Sequence, residues 1–256
     1  MKTFISFLKK EWVHFLRSAH VWIFLGIYVL FGIMNPAIAK ATPWMMEMLS
    51  ESMAETGFAM TAVEVDALTS WAQFFKNIPM ALIAFVIIQS NLFTKEYQSG
   101  TLILVLTKGL DRYKVVLAKF VRLFIVWTVG YWFCYGITYA GNMLFWDNDV
   151  AKALAFTAFN WWLFGVWTIC LMVLFSTLAS NNIMVLLGTG GSVLAVYLLS
   201  LLPWVKEYMP TTLMDTTKLL LGVEKIGEYG VTVAITIALC VILLAASVPV
   251  MNKRKI

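Results

Sequence analysis

Long stretches without a charged residue constrain this sequence more than any other feature. A helix crosses the hydrocarbon core of a bilayer with about 20 mainly apolar residues. Charge-free runs of that size recur along the chain, and the run between Lys152 and Lys206 is too long for one crossing. Its polar segment ASNN, Ala179–Asn182, divides it in two. The predicted spans are residues 21–39, 77–94, 120–146, 153–179, 183–203 and 229–252.

These spans predict an all-α membrane protein with six transmembrane helices in a single domain, residues 1–256. Only 13% of the residues are charged and 61% are hydrophobic, which leaves too little polar surface for a soluble domain of this length. The short alternating segments of a membrane barrel are not visible. The three cysteines, Cys134, Cys170 and Cys240, lie inside predicted spans without paired spacing, so neither a disulfide nor a metal site is expected.

The distribution of Lys and Arg predicts the orientation in the membrane. An even number of spans places both termini on one side, and the only acidic residues there are Glu11, Glu96 and Asp111. The basic residues on that side are Lys2, Lys9, Lys10, Arg17, Lys95, Lys108, Arg112, Lys114, Lys119, Arg122, Lys253, Arg254 and Lys255. We therefore predict a multi-pass membrane protein with both termini in the cytoplasm.

The sequence lacks the common catalytic motifs. It has no G-x-x-x-x-G-K-[ST] loop, so we do not expect the chain to hydrolyse ATP, and it has no H-E-x-x-H or G-x-S-x-G motif. The glycine-rich segment GTGGS, Gly188–Ser192, lies within a span and indicates close helix packing. We also read the spans as free of ionisable groups, which proton- or ion-coupled carriers usually need, although sodium sites made of backbone carbonyls remain open. Energy for transport is therefore expected from outside the bilayer.

The most distinctive polar segment, FTKEYQSGTL, follows the second span. Ser99, Gly100 and Thr101 predict a turn or a helix start, and Thr101–Leu110 is apolar enough for a short helix at the membrane surface. Such a helix, with Glu96 and Tyr97 facing the cytosol, suits docking to a soluble partner. On charge alone, an ordinary basic cytoplasmic loop is the simpler interpretation.

The segment KEYQSGTLILVLTKGLDRYKVVLAKF, residues 95–120, resembles the signature of ABC exporter permeases of the type V fold. Glu96, the Ser99–Thr101 triplet, Arg112 and Lys119 match that signature, while Gly109 stands where a proline is common. The resemblance implies that residues 95–119 form a coupling loop whose short helix enters a cleft of an ATPase subunit. The residues it assigns to ATPase coupling are Glu96, Tyr97, Ser99, Gly100, Thr101, Leu102, Arg112 and Lys119.

The N-terminal segment, residues 1–20, predicts an amphipathic helix in the membrane interface. Ile5, Leu8, Trp12, Phe15 and Ala19 recur at helical spacing, and basic residues fill much of the remainder. In similar permeases this helix also contacts the ATPase, whereas membrane anchoring alone is an equally good explanation.

Two segments are expected on the outer side. In the first, Lys40–Phe75, the residues Thr42 and Pro43 predict the start of a new helix after the first span. Residues 204–228 contain Pro210 and several charges, and the resemblance implies short helices there that re-enter the outer leaflet and help to close the translocation path.

Amides and aromatic side chains in the spans are candidates for a substrate path, although packing between helices is the simpler explanation for many of them. The candidate residues are Asn35, Trp127, Trp132, Tyr135, Asn142, Asn160 and Trp161.

Together with this resemblance, these features predict the permease subunit of an ATP-driven exporter of an amphiphilic substrate in a bacterial plasma membrane. The resemblance favours a peptide over a lipid or a drug as that substrate. The expected partners are an ABC ATPase subunit that binds ATP and Mg²⁺, a second permease copy or paralogue, and membrane lipid, but no nucleic acid. The chain itself needs no cofactor. An ATP-independent carrier or channel and a membrane enzyme are the alternatives from other classes.

Overall fold

The computed structural model describes residues 2–54, 65–107, 109–215 and 217–254, and these residues form an all-helical protein. The helices are α1 Lys2–Leu16, α2 Ala19–Ala54, α3 Ala67–Gln89, α4 Asn91–Gln98, α5 Thr101–Thr107, α6 Arg112–Met143, α7 Leu154–Leu178, α8 Asn182–Ser200, α9 Thr217–Leu220 and α10 Gly230–Lys253. Short 3-10 turns occur at Asn148–Val150, Lys206–Tyr208, Pro210–Met214 and Ile226–Tyr229.

Six of these helices, α2, α3, α6, α7, α8 and α10, are long and apolar enough to cross a membrane. This confirms the predicted all-α fold with six spans. The predicted break at ASNN is also present, because α7 ends at Leu178 and α8 begins at Asn182. The Asn181 side chain caps α8 by accepting a hydrogen bond of 2.9 Å from the backbone N–H of Met184, which satisfies one free donor of the first turn.

The first spanning helix is longer than the predicted span 21–39. Helix α2 continues to Ala54 through Pro36 and Pro43, so the predicted helix start at Thr42 and Pro43 is wrong. The Thr42 hydroxyl donates to the Ile38 carbonyl within the same helix, at 2.8 Å, instead of capping a new one. The second span also begins earlier than predicted, because the Asp66 side chain accepts from the Thr69 N–H and starts α3 at Ala67.

Helix α7 is the centre of the bundle. Most of its residues are buried, and it packs against α6, α8, α10 and the turn at Pro210–Met214. Helix α8, in contrast, contacts mainly α7, and only Val185 and Thr189 of its residues are buried. Gly188 brings α8 close to α7, since a Cβ there would lie 2.3 Å from the Phe175 ring. This confirms the close packing predicted for the glycine-rich segment at one of its glycines.

The described residues of the segment 204–228 form short turns and the short helix α9, and they cover one end of the bundle. Leu213 and Leu219 are completely buried there, and the turn at Pro210–Met214 contacts α7, α8 and α10. Lys218 forms a 2.7 Å ion pair with Glu224, whose other carboxylate oxygen accepts from the Tyr229 hydroxyl at 2.6 Å. The segment is therefore tied to the bundle by apolar packing and by polar contacts.

The opposite end of the bundle, which we call the basic end, contains α1, α4, α5, the start of α6 and the end of α10. Helix α1 packs mainly against α6. Phe7, Glu11 and Phe15 are buried among the described side chains of α1, whereas Ile5 of the predicted apolar face is 60% exposed. The packed face is therefore rotated from the predicted one, and it includes a carboxylate.

Candidate functional site

A cluster of charged side chains joins three helices at the basic end. Glu11 of α1 and Glu96 of α4 face Lys119 of α6, whose ammonium nitrogen lies 2.8 Å from a Glu96 carboxylate oxygen and 3.6 Å from one of Glu11. Arg122, one turn further along α6, lies 3.5 Å from the same Glu11 oxygen. It also donates a 2.9 Å hydrogen bond to the side-chain amide oxygen of Gln89 in α3. We call these five residues the charge cluster.

The charge cluster is buried. Only 1% of the Lys119 side chain is exposed, against 4% of Glu11 and 15% of Glu96. A buried charge without a partner costs several kcal/mol, so such groups persist only when they are paired and hydrogen-bonded. The pairing therefore requires α1, α4 and α6 to keep their present register, and movement of α4 alone would separate Glu96 from Lys119.

Lys10 extends the charge cluster to the surface. Its ammonium nitrogen lies 3.0 Å from the second Glu96 oxygen and 3.4 Å from Glu11. Partial burial lowers the pKa of Lys10, but attraction to Glu96 and Glu11 outweighs this effect and raises the pKa above its usual value. Lys10 therefore stays protonated at neutral pH and bridges α1 to α4.

The position of Glu96 and Tyr97 corrects the sequence prediction. Neither side chain faces freely outward, because Glu96 is paired with Lys119 and the Tyr97 hydroxyl donates to the Met251 sulfur of α10 at 3.1 Å. The prediction of spans without ionisable groups is also wrong at this end, because Arg122 lies within the predicted span 120–146 and is buried.

Sequence reasoning missed Glu11, Gln89 and Arg122 as members of one site. A signal was present in the sequence, because Glu11 is an isolated carboxylate on an otherwise basic helix and lies at i+4 from Phe7 and i−4 from Phe15. A charged residue on the apolar stripe of a helix indicates a buried partner. The identity of that partner required the tertiary structure, since residue 122 is more than one hundred positions away.

Arg112 fixes the end of the last helix. Its guanidinium donates to the carbonyl oxygens of Met251, Asn252 and Arg254 at 2.8, 3.0 and 2.7 Å. The carbonyls at a helix C-terminus lack partners within the helix and attract cations. Arg254 in turn donates to the Thr177 carbonyl at the end of α7, at 2.8 Å, and its guanidinium lies 3.9 Å from the centre of the Tyr97 ring.

We expect the variant Arg112→Gln to loosen the end of α10 without unfolding the bundle. Hydrogen bonds from a charged donor contribute about 1.5–3 kcal/mol each, so exchange of the amide protons near residues 250–254 should accelerate about tenfold or more. Hydrogen–deuterium exchange measures this directly. Lys114→Gln is the matched control, because the ion-pair partner of Lys114 is the exposed Asp111 of the same turn and not the end of α10. Equal exchange in both variants would contradict the capping role.

A small exposed surface lies between α4 and α5. Ser99, Thr101 and Ile103 are exposed, Leu102 is buried, and Gly100 adopts a positive φ of 67° that turns the chain between the two helices. The predicted turn at Ser99–Thr101 is therefore present. We call Ser99, Gly100, Thr101 and Ile103 the α4–α5 surface. Of the residues assigned to coupling, Ser99, Gly100 and Thr101 lie on this surface. Leu102 is buried, Glu96 and Lys119 pair with each other, and Tyr97 and Arg112 contact the end of α10.

Most of the candidate path residues pack inside the bundle. Asn35 donates to the Thr138 hydroxyl and accepts from Asn77, at 3.1 and 2.7 Å. The Trp127 indole donates to the Trp162 carbonyl at 3.1 Å, and Asn142 donates to Asn148 at 3.3 Å. These contacts agree with the simpler explanation, which is packing between helices.

The remaining path candidates divide between the aromatic core and a side cavity. Trp132 and Tyr135 stack edge to face, with ring centres 5.3 Å apart. Asn160 is completely buried, and neither of its amide atoms has a partner among the described residues. Trp161 lines an apolar cavity of about 410 Å³ between α3, α7 and α8, which we call the lateral cavity.

The lateral cavity combines an apolar wall with a few buried polar atoms. The wall includes Leu82, Val86, Phe164 and Val193. Trp161 and Thr189 also line it, and the Trp161 indole nitrogen and the Thr189 hydroxyl are buried without a hydrogen-bond partner in the described part of the chain. A ligand with a long apolar part and an occasional polar group matches such a lining. In the described ranges, no group of His, Cys, Asp or Glu is arranged to hold a metal ion.

Comparison with known proteins identifies the family. The family model described as "ABC-2 family transporter protein" matches residues 5–255. A search of curated protein sequences finds no significant match. Permeases of the ABC-2 family are transmembrane subunits, typically without catalytic activity of their own, that normally work with an ABC ATPase subunit. The match covers nearly the whole chain, and the six candidate spans are consistent with a membrane permease. The chain therefore belongs to the ABC-2 family of transporter proteins, as a permease subunit.

Proposed function

We propose that this permease is the membrane subunit of an ATP-driven exporter in a bacterial plasma membrane, with both termini in the cytoplasm. The observation that best supports this proposal is the charge cluster behind the α4–α5 surface. An element that receives force from a soluble motor needs an exposed contact and a rigid connection to the spanning helices. Ser99 and Thr101 supply the contact, and the Glu96–Lys119 pair supplies the connection to α6.

The proposed mechanism follows from these contacts. ATP and Mg²⁺ bind to the partner ATPase, and its conformational change displaces the α4–α5 surface. Because Glu96 is bound to α6 through Lys119 and to α1 through Lys10, displacement of α4 carries α1 and α6 with it. Tyr97 transmits the same motion to α10 through Met251 and Arg254. A second permease copy or paralogue completes the path across a two-fold or pseudo-two-fold axis.

The variant Gly100→Trp tests the coupling surface. We expect it to fold, because a Cβ at Gly100 would meet no atom within 4 Å, and to reduce recovery of the ATPase about tenfold or more, since bulk in the centre of a small interface commonly costs at least 1.4 kcal/mol. Recovery of the ATPase with the purified permease is the measurement. It requires expression of the permease together with its ATPase.

Two controls separate bulk from backbone strain. Gly100→Asn tolerates the positive φ and adds little volume, so it should retain the ATPase. Gly100→Ala strains the backbone without bulk, so its effect should be small. Undiminished recovery and transport with Gly100→Trp would sink the coupling assignment. The native mass of the same complex reports its composition, and a single permease bound to a single ATPase would contradict the proposed dimer.

For the substrate, we propose an amphipathic peptide that uses the lateral cavity, ahead of a lipid or a drug. The cavity offers apolar contact from α3 and α8, while the buried Trp161 nitrogen and Thr189 hydroxyl offer hydrogen bonds to a polar backbone. A peptide with one apolar face presents both kinds of group. No charged side chain occurs among the described residues that line the cavity, and this also favours an uncharged contact face on the peptide.

Deletion of the permease in its native host tests the substrate class. We expect amphipathic peptides to accumulate in the cells and the sensitivity of the cells to added peptides to change. The unmodified chain should restore the parental behaviour, whereas Thr189→Trp, which fills the cavity, should not. If peptides do not accumulate and sensitivity is unchanged, the peptide proposal fails, and lipid and drug transport assays then decide between the other substrates. An ATP-independent carrier would instead transport without any ATPase subunit.

A further inference from the structure

We propose that a second cavity, beside the charge cluster, binds a phosphate group, carried either by an anionic lipid or free in solution. This cavity has a volume of about 450 Å³ and lies between α1, the start of α2, the end of α3, α4 and α6, and Ser99 and Thr101 of the α4–α5 surface also line it. We call it the polar cavity. It is separate from the lateral cavity and is not used by the proposed substrate path.

Positive charge exceeds negative charge in the lining. Four cations, Lys10, Lys95, Lys119 and Arg122, line the polar cavity together with two carboxylates, Glu11 and Glu96, and the histidines His14 and His20. Both carboxylates are already paired with cations of the cluster. Lys95, by contrast, is exposed and has no ion-pair partner within the described residues. The excess charge is therefore available to an anion.

Two buried donors in the same lining point to the same ligand chemistry. Gln89 is 2% exposed and Arg122 is 4% exposed, and the Gln89 amide nitrogen and the Arg122 Nε have no acceptor among the described residues. A buried donor without an acceptor is unfavourable, so both favour a ligand that brings acceptor oxygens. A phosphate group combines several acceptor oxygens with negative charge, which suits a guanidinium and an amide together.

The surroundings place a lipid within reach of this cavity. Leu16 and Trp22, which lie two positions after His14 and His20 in the sequence, are 60% and 73% exposed. Helix α1 also exposes Ile5, and the chain is a membrane protein, so these apolar side chains are suited to contact lipid. Apolar side chains beside a basic cavity match the two parts of an anionic lipid, an acyl region and a phosphate headgroup.

Binding of defined probes to the purified full-length chain tests the proposal. The probes are phosphatidylglycerol, a phosphate-free galactolipid of the same acyl chains, and inorganic phosphate, each followed by native mass spectrometry. We expect one phosphatidylglycerol to be retained in preference to the galactolipid. The variant Lys95→Gln should weaken that binding about fivefold, since one basic residue near an anionic surface contributes about 1 kcal/mol.

Lys253→Gln is the matched control, because Lys253 is an exposed cation at the end of α10 that does not line the cavity. Its binding should equal that of the unmodified chain. Retention of inorganic phosphate alone, with the same dependence on Lys95, supports the site with a solution phosphate as its ligand. Equal retention of phosphatidylglycerol and galactolipid, or identical binding by Lys95→Gln and the unmodified chain, would overturn the proposal.

Discussion

Neutralising either partner of the Glu96–Lys119 pair is expected to destabilise the protein strongly. The variants Glu96→Gln and Lys119→Met should each lower the free energy of unfolding by about 3 kcal/mol or more, because each leaves a buried charge with fewer partners. Lys119 is 1% exposed and lies 2.8 Å from Glu96, so water cannot replace the lost contact. Denaturant unfolding in detergent, followed by tryptophan fluorescence, measures the change.

The double variant separates pairing from packing. Glu96→Gln combined with Lys119→Met should be less destabilised than the sum of the single variants, by about 1–3 kcal/mol, because neither charge is then left alone. Lys9→Gln is the control, since Lys9 is exposed on α1, and surface substitutions usually change stability by less than about 0.5 kcal/mol. Strict additivity of the two single variants would show that the pair does not act as a unit.

The charge-reversal variant Glu96→Lys would disturb the same cluster. A lysine at position 96 would face Lys119 and Lys10 at distances now occupied by a carboxylate. Loss of ATPase association in such a variant would therefore report a disturbed basic end and would not locate the docking surface. Gly100, which lies on the α4–α5 surface, tests docking without this complication.

The second large effect is expected from a single methyl group at Gly165. A Cβ at this position of α7 would lie 2.3 Å from two atoms of the Trp127 ring. That ring is completely buried, and its nitrogen is held by the Trp162 carbonyl. Phe85 and Tyr131 pack against it on other sides, with ring centres at 5.7 and 5.4 Å, so it has no space to move.

We therefore expect Gly165→Ala to destabilise the protein by about 1–3 kcal/mol through overpacking, or by more if α6 and α7 must separate. Gly136→Ala is the matched control, because a Cβ there meets no atom within 4 Å. Its effect should be neutral, or stabilising by up to about 1 kcal/mol, since alanine favours the helix. Equal thermal stability of the two variants in detergent would show that Trp127 is free to move.

Much of the architecture was predictable from local sequence patterns. Charge-free runs identified the six spans, because a bilayer core accepts only apolar helices of about 20 residues. Gly100 was read as a turn residue, and it adopts a positive φ between α4 and α5. Helix lengths were less predictable, since α2 continues through Pro43 where a local rule placed a new start. In such cases, neighbouring helices and side-chain hydroxyls supply hydrogen bonds to the backbone carbonyls that a proline leaves without a donor.

The residues of the charge cluster could be named from the sequence only in part. The motif around Glu96 and Lys119 was recognisable, but the side of α4 on which Glu96 lies was not predictable. In the structure, the Glu96 side chain faces the bundle. Glu11 and Arg122 meet across 111 positions of sequence, and no local pattern reports a contact at that distance. The buried face of α1 was likewise decided by its partner, because α6 offers two cations to Glu11.

The sequence by itself therefore determined the environment of the chain and the number of its crossings. Both depend on the length and apolarity of single helices, which are local properties. Only the tertiary structure decided which charges are buried, which side chains are left for a partner, and where the cavities lie. These depend on the register between helices distant in sequence, since the cost of an unpaired buried charge is set by whatever the neighbouring helix places opposite it.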